Sequence, residues 1–87
     1  MGMISALTLA NLTSKNRNVM EKAFNAIYSE YSYLVFYVAF DYLKDQEQTK
    51  DIVNEVFMKF YENRYKIKYA KSIKYYLVTS LLLRMFV

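Results

Sequence analysis

Cysteine, histidine and proline are absent from these 87 residues, and glycine occurs once, as Gly2. Without cysteine there are no disulfides and no thiolate ligands. Without histidine there is no imidazole base, no catalytic triad and no usual zinc ligand. The lack of glycine and proline removes phosphate-cradling glycine loops and nearly all special turn chemistry, so the chain must turn on ordinary polar residues, and long helices follow. Long apolar runs are missing too. Asp41, Lys44 and Asp45 close the middle stretch and Arg84 interrupts the last, short of the roughly 18–20 residues a membrane span needs. Met1 to Ala10 has no basic n-region, so no secretory signal and no membrane partner are expected, and a cytoplasmic location follows. The glycosylation-like Asn11-Leu12-Thr13 carries no meaning without export.

What is abundant is apolar and aromatic surface. The chain is 55% hydrophobic, with ten tyrosines and six phenylalanines. A domain this small buries only about 60% of its unfolded surface. Some of this surface should therefore meet a partner, and an interaction protein is expected.

Met1 to Asn18 has no clear period and reads as a loosely held arm or a short extra helix, with the compact domain over residues 19–87. From Val19 to Leu43, Met20, Ala23, Phe24, Ile27, Tyr31, Leu34, Val35, Val38 and Tyr42 step by three and four, which predicts one long helix. Lys44-Asp45 breaks the pattern, and Asp45 with Gln48 has capping-box spacing for a second helix over about Gln46 to Glu62. That helix puts Thr49, Ile52, Val53, Val56, Phe57 and Phe60 on one side. Asp51, Asn54, Glu55, Lys59 and Glu62 fall largely on the other. Between Asn63 and Ala70, Tyr65, Ile67 and Tyr69 alternate with Lys66 and Lys68, which reads as an extended linker. A third helix from about Lys71, with Ser72 as its cap, ends apolar nearly all round at Leu82, Leu83 and Val87. The expected fold is all-α, a long helical hairpin plus a third helix after a basic loop.

Charge is segregated along the chain. Up to Asn63 there are six basic and eight acidic residues; from Arg64 onward there are six basic residues and no acidic one. In that last quarter the cations interleave with rings: Arg64, Tyr65, Lys66, Lys68, Tyr69, Lys71, Lys74, Tyr75 and Tyr76. Unpaired bases stack on aromatic faces for about 1–3 kcal/mol each, while Lys and Arg neutralise phosphates, so the patch suits single-stranded or opened DNA. The plainer alternative makes Tyr76 a core residue and the lysines a solvated face. On the second helix, Asp51 and Glu55 share one face with Asn54. Two exposed carboxylates without a third ligand are more often a solvated face than a metal site, and a docking surface for a basic partner fits better. No nucleophile has a base partner, so no enzyme, metal or cofactor is expected.

Four blocks carry a resemblance: Phe24-Asn-Ala-Ile-Tyr-Ser-Glu-Tyr31, Tyr42-Leu-Lys-Asp45, Asp51-Ile-Val-Asn-Glu-Val-Phe-Met-Lys-Phe-Tyr61 and Ser72-Ile-Lys-Tyr-Tyr-Leu77. Together they resemble region 2 of the sigma-70 family of RNA polymerase factors, within it the extracytoplasmic-function (ECF) group, whose middle motif is usually D-I-V-Q-E-V-F-x-K-L-W. The resemblance covers about Phe24 to Ser80 and implies a transcription initiation module. By position, Asp51, Asn54, Glu55, Phe57 and Tyr61 would dock on the clamp helices of the polymerase β′ subunit. Arg64 through Tyr76 would melt and read the minus-ten promoter element on its non-template strand. Asn54 stands for the customary Gln, one methylene shorter. Leu82 and Leu83 stand where the family continues with a basic residue and an Asn, which implies altered promoter reading. An anti-sigma factor is a further implied partner. The family's second, helix-turn-helix domain, region 4, is not expected within these residues. The alternative is a helical oligomerisation or adaptor domain on a sigma-like scaffold, self-associating through the apolar C-terminal helix.

Overall fold

In the computed structural model, which describes residues 4–86, four α-helices follow one another: α1 (Ala6–Asn11), α2 (Arg17–Leu43), α3 (Gln46–Glu62) and α4 (Ser72–Phe86), with a 3-10 turn at Arg64–Lys66 between the last two. The described residues are all-α, as the periodicity predicts. Of the expected arm, Met1 to Met3 lie outside the described residues, as does Val87 at the other end. Of the two forms open to the first eighteen residues, the short helix forms. Ser5 caps it by accepting from the Thr8 N–H at 3.1 Å. Leu12, just past its end, is wholly buried among core residues, so the core draws on a residue ahead of the boundary expected at Val19.

Helix α2 starts two residues earlier than its apolar pattern. Asn16 caps it, the side-chain oxygen accepting from the N–H groups of Asn18 and Val19. A helix of 27 residues spans about 40 Å, and the longest dimension of the molecule is 38 Å. The whole domain is therefore built along this one rod. Lys44 ends it in the left-handed conformation, φ 58°, its N–H donating to the Phe40 carbonyl at 2.8 Å. With no glycine at hand, an ordinary polar residue makes the turn.

Asp45 then caps α3, its carboxylate accepting from the Gln48 N–H at 2.9 Å. Thr49, fully buried, donates its hydroxyl to the Asp45 carbonyl at 2.6 Å. The two-residue connection folds α3 back along α2. Helix α3 packs on α2 on one flank and on α4 on the other, and the six residues that periodicity put on its inner side, Thr49, Ile52, Val53, Val56, Phe57 and Phe60, are its buried residues. Ile73, Leu77 and Leu81 close the core from α4. Phe60 stands at its centre, with ring centroids 6.3 Å from Phe24 and 5.9 Å from Tyr76.

Candidate nucleic-acid interface and docking ridge

The loop after α3 and the first three turns of α4 enclose an open groove of about 660 Å³. The loop contributes Lys66, Ile67, Lys68 and Tyr69; α4 contributes Ser72, Tyr75, Tyr76, Thr79, Ser80 and Leu83; α3 contributes Lys59. The α4 residues recur at three- and four-residue spacing and so share one face of the helix. Ile67 is extended, φ −85° and ψ 116°, and half-buried, while its neighbours Lys66 and Lys68 are exposed. The apolar residue anchors the loop and the lysines stay in water.

Of the nine residues placed in the cationic aromatic patch, this groove brings together Lys66, Lys68, Tyr69, Tyr75 and Tyr76. Tyr69 is 64% and Tyr75 72% exposed, so both rings offer a face for stacking. Tyr76 has two duties. It lines the groove and also meets the buried Phe60 ring edge-on.

Four residues of the patch sit elsewhere. Lys71 lines a separate recess with Ile4, Tyr31, Tyr69 and Ala70. Lys74 is exposed and outside the groove lining, and Tyr65 is exposed. Arg64 is engaged within the chain. Its guanidinium carbon lies 4.0 Å from the Tyr61 ring centroid and 4.7 Å from that of Tyr65. It donates to the Tyr61 carbonyl at 2.8 Å and to the Tyr65 hydroxyl at 3.3 Å. Arg64 is thus a clasp between the end of α3 and the 3-10 turn rather than a free cation of the groove.

Lys59, Ser72, Thr79, Ser80 and Leu83 are groove residues that sequence reasoning did not single out. The α4 members were within reach of it, because they lie on the helical stripe of Tyr75 and Tyr76: Ser72 and Thr79 three or four residues from each, Ser80 four from Tyr76 and Leu83 seven. Lys59 was not, since only the packing of α3 on α4 brings it there.

The exposed side of α3 forms a ridge. Asp51, Asn54 and Glu55 are exposed on it, and so is Met58, which adds an apolar contact to the polar face. Asn54, Met58 and Tyr61 border a second groove, of about 860 Å³, whose far wall is α2 with Arg17, Glu21 and Phe24. Phe57, of the expected docking set, is only 3% exposed and lies 4.7 Å, ring to ring, from Tyr28; it supports the ridge from beneath and reaches the surface only in the lining of that second groove.

Glu55 has a partner already. Arg84, on the last turn of α4, holds both carboxylate oxygens, Nε at 2.6 Å and Nη2 at 3.1 Å. That bidentate hydrogen bonding holds the Glu55 carboxyl below its ordinary range, with Lys59 adding attraction, and raises the Arg84 guanidinium in turn. Both side chains remain about half exposed. Among the described residues no cluster of three or more acidic side chains is placed to hold a metal ion, and no helix is long and apolar enough to cross a membrane.

A family model described as Sigma-70 region 2 matches residues 27–85, more than half of the chain and all of α3, the loop and the groove. No curated protein and no solved structure matches it.

Proposed function

The chain belongs to the sigma-70 region 2 family, and from that premise we propose that it is a transcription initiation module of the ECF type, which docks on RNA polymerase through α3 and holds melted promoter strand against α4. A region 2 domain is a transcription-factor domain with a role in polymerase binding and minus-ten recognition, so the chemistry belongs to the polymerase. The observation that carries the reading is the groove itself: Lys59, Lys66 and Lys68 share its lining with Tyr69, Tyr75 and Tyr76, and no carboxylate is among them. Phosphates are neutralised and splayed bases stacked in one place. Asp51, Asn54, Glu55 and Tyr61 form the docking contacts on the β′ clamp helices, with Met58 beside them. An anti-sigma factor would act by covering the same ridge.

The test is binding to a β′ clamp-helix fragment. Asp51→Ala and Glu55→Ala are each expected to weaken it about twofold to fivefold, as loss of a partly exposed charge contact does. Undiminished binding removes the assignment of this ridge.

A second reading, a self-associating adaptor, draws on Leu82, Leu83 and Phe86, which stay exposed on the end of α4. It predicts a tight dimer by light scattering, and equal affinity for minus-ten and scrambled oligonucleotides.

A further inference from the structure

Arg84 lies outside the groove lining, yet the geometry of α4 aims it there. Tyr76, Ser80 and Arg84 are four residues apart and fall on one stripe of the helix, so Arg84 stands one turn beyond Ser80, the last hydroxyl of that stripe in the groove. A smaller recess lined by Glu55, Lys59, Ser80, Leu83 and Arg84 adjoins the groove, sharing Lys59, Ser80 and Leu83 with it. The guanidinium is held in that recess by its fork on Glu55. A carboxylate and a phosphate offer that fork the same pair of oxygens, so Glu55 occupies Arg84 as a phosphate would. Glu55 is also a residue of the docking ridge, so a basic group brought by a partner competes with Arg84 for it. The pair is half exposed, so water screens it and the exchange costs little.

We propose that Arg84 is a further phosphate-binding residue of the groove, held off by Glu55 until a docking partner takes that carboxylate. The proposal rests on the function assigned above. It makes polymerase docking and strand binding cooperative through one arginine that changes partner. Lys59 stays between the two sites and serves the groove in both states.

The experiment is a fluorescence titration of the full chain with a short oligothymidylate over a series of salt concentrations, comparing wild type, Glu55→Ala, Glu55→Gln and Asp51→Ala, each also in an Arg84→Met background. Asp51→Ala removes the same charge from the same ridge without freeing an arginine. Expected is a gain for both Glu55 variants of about threefold over Asp51→Ala, with a log–log salt slope steeper by about 0.7, one more phosphate contact on a single strand. Both differences should vanish in the Arg84→Met background. Equal affinities for the Glu55 and Asp51 variants, or a gain that survives Arg84→Met, overturn the role of Arg84 while leaving the groove assigned. No binding of any form, wild type included, overturns the groove and this inference together.

Discussion

Tyr75 and Tyr76 are adjacent in sequence and differ in what holds them. Tyr75 is largely exposed, and Tyr76 is half-buried with its ring 5.9 Å from Phe60. Tyr75→Ala should cost strand affinity by about 1–3 kcal/mol, the worth of one stacked base, and leave the urea midpoint unchanged. Tyr76→Ala should lower affinity and also destabilise the fold by about 1–3 kcal/mol, because an aromatic pair and part of the core go with it. Paired strand titrations and urea melts check both, and an unchanged midpoint for Tyr76→Ala would return that ring to the surface. The sequence makes both tyrosines members of one patch, with a core role for Tyr76 as the plain alternative; in the structure its ring both lines the groove and packs on Phe60. Phe57 shows the limit of such reading. Its motif position favours docking and its helical period favours the core, and packing against Tyr28 decides for the core. For Arg64, composition says cation, but its neighbours Tyr61 and Tyr65 are near enough to take it up.

At the scale of elements, the hairpin between α2 and α3 was legible because its signals are local. Three-and-four spacing marks both helices, and Asp45 with Gln48 marks the start of the second, where the bond from the Gln48 N–H forms at 2.9 Å. What spacing does not carry is the left-handed turn at Lys44. A residue with a Cβ at φ 58° loses about 1 kcal/mol that glycine would not. Lys44→Gly should therefore stabilise the domain by about that amount, whereas Asp45→Ala, which strips the cap, should destabilise it by about 1 kcal/mol. Equilibrium urea unfolding reads both, and a destabilising Lys44→Gly would mean that the lysine contributes more through its ion pair with Asp41, at 3.5 Å, than its backbone costs. The tie from α3 to α4 through Glu55 and Arg84 could not be read in advance. Its partners are 29 residues apart, and only the packing of the two helices brings them together.

Over the whole molecule, the division of charge that is plain in the sequence becomes a division of surfaces. Acidic residues stop at Glu62, the ridge of α3 carries Asp51 and Glu55, and the groove beyond it is lined by Lys59 of α3 and by Lys66 and Lys68 of the loop, with no acidic residue. A single strand lying in that groove exchanges its counterions for those lysines, so affinity must fall as salt rises, with a slope set by the number of phosphates met rather than by the net charge of +4. Position within the groove should then matter more than charge alone. Lys66→Gln and Lys68→Gln are each expected to flatten the log–log salt slope by about 0.7. Lys74→Gln removes the same charge from an exposed residue outside the lining and should change the slope less than either, because the slope counts phosphates met in the groove. Equal slopes for all three variants would mean that the strand senses only an overall positive field, and the groove would lose its claim to hold it.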